Sequence, residues 1–303
     1  MRLDVTPGRD VLNVLSKGFS WDSATAFVTA MHGSVHRRTE VPAVINTGIV
    51  AGVGHFQADT DRLRTPPFNM TTLREAWRHF DRRSEPCSGD KRSYGLEGLD
   101  ERIISAVPIE KGVFVEVGAY DGVTQSNTVI LENRGWKGVL VEPNPRVFAR
   151  CVKTRPNATV VHGACVGFDY SHELTTMEDV GLMSITSETK FEGQQREEWL
   201  GRGEGFVNRP RQKLDVPAVR LSEVLDDNKI DEVDLLVLDV EGAEVEVLRG
   251  IDFARHAPTY IVAEDAYDEG VANFLLERQY VNEGVLLERK YTRDCLYRNN
   301  AGC

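Results

Sequence analysis

Three acidic residues at one point of the chain have the type and spacing that chemistry on a hydroxyl group needs. Asp239, Glu241 and Glu244 follow the apolar run at residues 233–238, which is typical of a buried strand. Along an extended backbone, Asp239 and Glu241 point to the same side. A carboxylate there could orient an acceptor hydroxyl or take its proton as a general base. We therefore expect Asp239 and Glu241 to be catalytic.

Other interpretations of these carboxylates stay open at the level of sequence. Glu264 and Asp265, at the end of another predicted strand, could join them in holding a hard cation through oxygen ligands, although no ligand motif indicates one. Alternatively, Glu241 and Glu244 could stabilise the positive end of the next helix, an interpretation that we favour for Glu244. His162 is a weaker candidate for the base, because a strand histidine is more often part of the packed sheet.

A loop of small residues follows the predicted strand at residues 112–117. Gly118, Ala119 and Gly122 would let the backbone approach a ligand closely. The pattern is not the G-x-G-x-x-G that cradles a pyrophosphate, because Ala119 and Tyr120 follow Gly118. The loop therefore favours a cofactor without phosphates over NAD or FAD. Taken alone, it could also be an ordinary strand-to-helix turn.

An acidic residue in the right place strengthens the cofactor interpretation. Glu142 ends the predicted strand at residues 138–142, about twenty residues after the loop, where nucleotide-binding folds carry a ribose-binding acid. A carboxylate can accept hydrogen bonds from both ribose hydroxyls. The alternative is a surface glutamate before the turn at Pro143. The loop and the acid together are more specific than either one.

The elements that must position these residues alternate between strand and helix. Such alternation predicts an α/β fold with a doubly wound, mostly parallel sheet. The predicted strands are residues 112–117, 138–142, 159–162, 233–238 and 260–264, and a closing antiparallel hairpin is expected within 283–296. The predicted helices are residues 99–106, 126–134, 146–153, 221–226, 243–249 and 271–277.

The remaining segments suggest how the chain is divided. Residues 1–92 are interpreted as a partly helical extension, with one helix at 71–80, that serves as a cap, an oligomerisation element or a partner-binding arm. A homo-oligomer is thereby left open. Residues 93–303 form the main domain, and its polar, weakly patterned segment at about 168–217 is interpreted as an insertion over the ligand face.

Composition excludes several classes of partner and site. The net charge of −11 disfavours a nucleic acid as partner. No apolar run is long enough for a membrane span, and no hydrophobic signal core opens the sequence, so a cytoplasmic location is expected. The five cysteines are odd in number and contain no C-x-x-C pair, so neither a zinc site nor a disulfide framework is indicated.

A long joint pattern carries a resemblance to a known family. Residues 112–122, 126–128, 135–145, 230–244 and 247–250 resemble the FkbM family of methyltransferases in order and spacing, over roughly residues 93–298. The resemblance implies a class I methyltransferase (Rossmann-like) fold and S-adenosylmethionine as cofactor. It also implies methylation of hydroxyl groups, often of sugars or secondary metabolites, so the expected partner is a small-molecule or glycan acceptor.

The resemblance also assigns roles to individual residues. Residues 116–122 would line the methionine end of the cofactor, with Ser126 and Asn127 beside it. Glu142 would hold the ribose, Pro143 and Asn144 would flank the adenosine, and the carboxylates of residues 239 and 241 would face the methyl-transfer site. The cofactor-binding residues implied are Glu116, Gly118, Ala119, Tyr120, Asp121, Gly122, Ser126, Asn127, Glu142, Pro143 and Asn144.

Departures from the family pattern leave rival functions to test. The family often has Ser-Gln followed by an acidic residue before the first strand, whereas this chain has Ser93-Tyr94 and then Asp100, which puts the role of that segment in doubt. The leading alternative is a catalytically inactive methyltransferase-like binding or scaffold module. A nicotinamide oxidoreductase and a nucleic-acid methyltransferase are further alternatives, disfavoured by the glycine spacing and by the net charge.

Overall fold

The computed structural model describes residues 93–265, 269–290 and 292–301. Before residue 93 it describes only the backbone of two short strands, β1 (Val44–Ile45) and β2 (Gly48–Ile49), which pair antiparallel. The chain divides into two units, Met1–Pro66 and Pro67–Cys303. The helix predicted at residues 71–80 lies outside the described residues, and the boundary expected near residue 92 stays a prediction.

Eleven further strands and seven α-helices make up the described part of the second unit. The strands are β3 (Val113–Val117), β4 (Lys137–Glu142), β5 (Thr159–His162), β6 (Ala164–Cys165), β7 (Leu174–Asp179), β8 (Ile185–Thr186), β9 (Gln212–Val219), β10 (Leu235–Leu238), β11 (Tyr260–Asp265), β12 (Tyr280–Glu288) and β13 (Arg293–Asn299). The helices are α1 (Leu99–Ala106), α2 (Val129–Asn133), α3 (Pro145–Thr154), α4 (Gly193–Val207), α5 (Leu221–Asp227), α6 (Glu244–Arg249) and α7 (Gly270–Leu276).

Seven of these strands form the central sheet, in the order β12-β13-β11-β10-β3-β4-β5. Its neighbours from β11 to β5 pair parallel, while β13 runs antiparallel to both β11 and β12. Helices follow β3, β4, β10 and β11 and return the chain to the end of the sheet at which the next parallel strand begins. The predicted doubly wound, mostly parallel α/β fold is therefore confirmed.

The core lies on both faces of this sheet, because its central strands are apolar at nearly every position. Along β3, Val115 and Val117 pack on one face and Phe114 on the other, and each is at most 2% exposed. All four residues of β10 are buried. Strands covered on both faces read as continuous apolar runs rather than as alternating patterns. This is why the sequence predicted these strands with only small errors at their ends.

The segment predicted as a weakly patterned insertion is in fact structured. A second sheet has the order β6-β9-β7-β8, and α4 lies between β8 and β9 along the chain. Strands β7 and β9 pair antiparallel along six residues each, while β6 pairs parallel with the end of β9. Strand β9 is exposed at several positions, so its sequence lacks the apolar run that identified the central strands.

Element boundaries shift where side chains are used for something other than the helix. The helix predicted at 126–134 begins only at Val129, because the three residues before it bond to Glu116. The closing hairpin is longer than predicted, with β12 starting at Tyr280 and β13 ending at Asn299. Within the described ranges, no helix combines the length and the apolar character that crossing a bilayer demands.

Candidate active site

A cleft of ≈ 940 Å³, measured to its open mouth, lies beyond the carboxyl ends of β3, β4 and β10. Strands β4 and β10 lie on opposite sides of β3, which makes this the switch point of the central sheet. Open α/β folds bind their ligands at such a point. The second sheet covers the cleft, since Met177 of β7 and Thr186 of β8 line it. The segment predicted as an insertion thus contributes residues to the lining of the cleft.

The loop that follows β3, residues 118–128, forms the floor of the cleft and is called here the β3 loop. The backbone N–H groups of Gly118 and Ala119 donate to the carbonyl of Val141, at 3.0 and 3.2 Å. Gly118 has a φ of 89°, and a Cβ there would lie 1.9 Å from the carbonyl oxygen of Asp239. Only glycine therefore lets the β3 loop and the end of β10 approach each other this closely.

Glu116 anchors the β3 loop from beneath. Its buried carboxylate accepts hydrogen bonds from Ser126 Oγ at 3.1 Å, the Asn127 backbone N–H at 2.9 Å and Thr128 Oγ1 at 2.7 Å. The Arg155 guanidinium lies 3.6 Å from the same carboxylate. Glu116 and Ser126 line the cleft, but their polar atoms are engaged mainly with the protein. Their position supports a role in shaping the loop.

Arg155 is the residue of this region that sequence reasoning missed. It is 1% exposed, and it donates to the carbonyl of Gly122 at 3.1 Å, to Ser126 Oγ at 3.2 Å and to Thr128 Oγ1 at 3.0 Å. It also pairs with Glu132. In the sequence it stands just after a helix and before a proline, where an exposed basic residue is the ordinary expectation, so no local signal identifies it.

Glu142 lies at the end of β4, where the sequence placed the ribose-binding acid. It lines the cleft while its two oxygens accept the backbone N–H groups of Tyr120 at 2.8 Å and Asn144 at 2.7 Å. Burial raises the pKa of Glu142 to about 8, against the effect of these two donors. Each carboxylate oxygen keeps a second acceptor position for a ligand hydroxyl.

Three predicted cofactor residues make contacts within the protein. Asp121 does not line the cleft, and its carboxylate accepts the backbone N–H groups of residues 123 and 124, which fixes a turn. Gly122 packs against α3, where a Cβ would lie 2.6 Å from Arg155 Cγ. Asn144 does line the cleft, together with Pro143, but its Oδ1 caps α3 by accepting the Arg146 N–H at 3.0 Å.

The predicted catalytic carboxylates lie on the far side of the cleft, in the loop that follows β10. Asp239 and Glu241 both line the cleft, and the side-chain Oε2 of Glu241 is buried without a hydrogen-bond partner. Glu244 is turned away, because it accepts the backbone N–H groups of Val240 at 3.3 Å and Gly242 at 3.1 Å. Glu244 therefore caps the turn that precedes α6, whereas the sequence favoured a role at the N-terminus of the helix itself.

Burial raises the pKa of both predicted catalytic carboxylates. It raises the pKa of Asp239 to about 7, with a further contribution from the negative charge of Glu264 and an opposing one from Arg289. Burial also raises the pKa of Glu241 well above its usual range, and the charges of Glu264 and Asp239 add to the effect. With a pKa of about 7, Asp239 can exchange a proton near neutral pH.

The cation-binding alternative finds no support in this arrangement. Glu264 pairs with Arg289 at 2.9 Å, and Asp265, on the other side of β11, pairs with Arg293 at 2.9 Å. In residues 93–265, 269–290 and 292–301, no group of three or more His, Cys, Asp or Glu side chains is arranged to hold a metal ion. His162 also lies outside the lining of the cleft, 2.9 Å from the Pro143 carbonyl through Nε2.

The segment at residues 93–100, whose role the family pattern left in doubt, supports the β3 loop. Asp100 is fully buried and accepts hydrogen bonds from Ser93 Oγ at 2.6 Å and the Tyr94 backbone N–H at 2.7 Å. Gly95 then forms a parallel bridge with Gln125 of the β3 loop. Gln125 itself lines the cleft, so this segment holds one wall of the site in place.

Most of the described chain matches a known protein family. Residues 116–298, well over half of the chain, match the family described as the methyltransferase FkbM domain. A comparison with curated proteins gives no match. The family match runs from the middle of β3 to near the end of β13 and so includes all or part of every strand of the central sheet.

Several solved structures are similar at low identity. TrmK of M. capricolum in complex with S-adenosyl-homocysteine matches at 7% identity and a TM-score of 0.39, over 68% of this chain and 69% of that one. A precorrin-6y C5,15-methyltransferase from Geobacter metallireducens GS-15 matches at 12% and 0.39, over 70% and 94%. A ribosomal protein L11 methylase from Lactobacillus delbrueckii subsp. bulgaricus matches at 10% and 0.38, over 74% and 92%. The assignment of this chain to a family therefore rests on the family match and not on these structures.

Proposed function

This chain belongs to the FkbM methyltransferase family, with S-adenosylmethionine as its methyl donor, and we propose that it is an O-methyltransferase for a hydroxyl of a sugar or secondary metabolite. The observation that carries the proposal concerns Asp239. Its carboxylate lines the same cleft as the β3 loop, and burial raises its pKa to about 7. A hydroxyl is a weak nucleophile at neutral pH, so a base with this pKa is what its methylation needs.

The residues around the cleft fit the methyl donor. Gly118 lies close to the end of β10 and presents no side chain to the cleft. S-adenosylmethionine has no phosphates, so its site needs no cluster of backbone N–H donors. Glu142 offers acceptor positions for the two ribose hydroxyls. Asn127 lines the cleft and its Oδ1 atom is buried and unpartnered, so we assign it to the ammonium group at the methionine end.

The chain's own contribution to transfer is alignment and proton removal. When bound, S-adenosylmethionine supplies an electrophilic methyl carbon, which forms a carbon–oxygen bond as its carbon–sulfur bond breaks. Asp239 accepts the proton of the acceptor hydroxyl, so the products are a methyl ether, S-adenosylhomocysteine and the protonated carboxyl. Glu241, which lines the same cleft, orients the acceptor through a hydrogen bond.

An acidic cleft favours a neutral acceptor over a polyanion. Asp239 and Glu241 line the cleft, and the whole chain has a net charge of −11. Phosphate groups approaching the cleft would be repelled. These charges support a small-molecule or glycan acceptor and oppose a nucleic acid.

Substitution of the proposed base provides the test. Asp239→Asn should lower kcat by about 10²- to 10⁴-fold, the usual contribution of a general base. Binding of S-adenosylhomocysteine, measured by calorimetry, should stay close to that of the parent protein. Asp215→Asn, on the exposed side of β9, is the matched control and should leave both quantities unchanged. Normal turnover by both Asp239→Asn and Glu241→Gln would sink the assignment.

The pH profile separates a base from a merely structural carboxylate. The base must be ionised, so kcat/KM for the acceptor should fall tenfold per pH unit below its pKa, with a midpoint at or below about 7. The positive charge of the donor's sulfonium favours the ionised form of the base and so lowers this midpoint. Failure of the parent protein to bind S-adenosylhomocysteine at all would instead favour an inactive binding module.

A further inference from the structure

Unpartnered polar atoms are concentrated in the cleft. Among the described residues, seven buried side-chain oxygen or nitrogen atoms have no hydrogen-bond partner. Three of the seven belong to residues that line the cleft: Asn127 Oδ1, Thr186 Oγ1 and Glu241 Oε2. A buried polar atom left unpaired destabilises a protein, so a cluster of them in one cavity points to a ligand that pairs them. Asn127 lies on the donor side, which leaves Thr186 and Glu241 for the acceptor.

Thr186 belongs to a strand that is tied to the loop carrying the carboxylates. It ends β8 and pairs with Met177 of β7 in the second sheet. Three residues further on, Thr189 Oγ1 donates to the carbonyl of Glu241 at 2.8 Å. The Lys190 backbone N–H then donates to the Gly242 carbonyl at 2.9 Å. The strand that carries Thr186 and the loop that carries Glu241 are therefore tied together, and the two orphaned oxygens belong to one site.

The chemistry of these two atoms defines what can pair them. A threonine hydroxyl can donate and accept, while a carboxyl group accepts and, when protonated, also donates. An alcohol can pair with both, whereas an anionic group would meet the acidic side chain of Asp239. Met177 and Leu182 add apolar surface to the same wall of the cleft. A ring with an apolar C–H face and several hydroxyls satisfies both kinds of surface.

We propose that Thr186 is an acceptor-specificity residue, and that the acceptor is a polyol with neighbouring hydroxyls, such as a sugar ring. One hydroxyl faces Asp239 and Glu241 for methylation, and its neighbour exchanges a hydrogen bond with Thr186 Oγ1. This inference rests on the proposed O-methyltransferase function. It assigns the choice of acceptor to the second sheet, and specifically to β8.

The test uses a panel of methyl glycosides (gluco, manno, galacto, rhamno and fuco) with S-adenosylmethionine, and mass spectrometry of the product. For the best acceptor, Thr186→Val should lower kcat/KM by about 10- to 100-fold, because the isosteric change leaves a substrate hydroxyl unpaired. Thr186→Ser should restore most of the activity. Thr176→Val is the matched control, since this threonine is absent from the cleft lining and bonds to Asp215 at 3.2 Å.

Deoxy analogues of the best glycoside show whether the lost bond is the proposed one. The parent protein should discriminate against the analogue that lacks the neighbouring hydroxyl. Thr186→Val should not, because the partner of that hydroxyl is already gone. Equal discrimination by both proteins, or unchanged kcat/KM in Thr186→Val, would overturn the proposal.

Two controls distinguish failure of this inference from failure of the proposed O-methyltransferase function. S-adenosylhomocysteine affinity should be the same in Thr186→Val and the parent protein; if Thr186→Val fails to bind it, Thr186→Ala takes its place in the same comparisons. If the parent protein binds S-adenosylhomocysteine but methylates none of the glycosides, the polyol proposal fails. If methylation occurs on a glycoside but is indifferent to Thr186, only the specificity role fails.

Discussion

At the scale of single residues, the site depends on charges that are buried and paired. Arg155 lies under the β3 loop and holds Glu116, Glu132 and the carbonyl of Gly122. Removal of one partner from a buried ion pair leaves the other charge uncompensated, which costs about 3–5 kcal/mol. The geometry of the donor-binding loop is therefore coupled to one arginine that does not itself line the cleft.

Replacement of this arginine should damage stability and donor binding together. We expect Arg155→Met to lower the free energy of unfolding by about 3–5 kcal/mol, measured by urea denaturation. Its affinity for S-adenosylhomocysteine should fall as well, because Ser126 and Thr128 lose a partner. Arg155→Lys should recover part of the loss. Exposed Arg134→Met is the control, and an Arg155→Met variant as stable as this control would contradict the account.

At the scale of elements, the cleft is built by segments that come from outside the central sheet. The second sheet covers the cleft, and the segment at residues 93–100 holds Gln125 through the bridge from Gly95. This segment is packed tightly: a Cβ on Gly95 would lie 2.6 Å from the Asp100 backbone nitrogen and 2.9 Å from Asn127 Oδ1. Because backbone atoms are involved, the segment has to move if a side chain is added.

Gly95→Ala should therefore weaken donor binding while the sheet stays folded. We expect the affinity for S-adenosylhomocysteine to fall, and hydrogen exchange of residues 93–100 to accelerate as their hydrogen bonds open. Gly201→Ala on α4 is the matched control, because its Cβ would meet no atom within 4 Å. That change should stabilise the helix by up to about 1 kcal/mol. Unaltered affinity in Gly95→Ala would show that the segment does not support the loop.

At the scale of the whole molecule, buried carboxyl groups are concentrated at the end of the central sheet where its parallel strands terminate. Burial raises the pKa of Asp239, Glu244, Glu264 and Asp294 to about 7, and that of Glu142 to about 8. The folded protein thus holds protons that the unfolded chain has lost, from the ordinary carboxyl pKa near 4 up to about 8. The contribution of these carboxyl groups to stability therefore falls with rising pH throughout this window.

The protein without ligand should consequently melt at a higher temperature at pH 6 than at pH 8. Each raised carboxyl favours the folded state fully below its unfolded pKa, and that contribution is lost as pH rises through the folded value. The net charge of −11 acts in the same direction. Glu244→Gln should reduce the difference between the two melting temperatures, while Asp215→Asn should not. A melting temperature that rises from pH 6 to pH 8 would contradict this account.

The sequence by itself determined the central sheet and the places where ligand-binding residues can stand. Apolar runs such as that in β10 and the spacing from Gly118 to Glu142 are local patterns, and local patterns survive without knowledge of the fold. They predicted the parallel sheet, the family and the donor, and they located Asp239 and Glu241 at the end of a strand. The roles of the individual site residues stay predictions.

Only the tertiary structure decided which of these residues face the cleft and what they meet there. Asp121 and Gly122 belong to the predicted loop but bond and pack elsewhere, and Arg155 gains its importance from partners far from it in sequence. Thr186 and Glu241 come together only because β8 is tied to the loop after β10. Burial, pairing and acidity are set by such long-range contacts, and no short stretch of sequence encodes them.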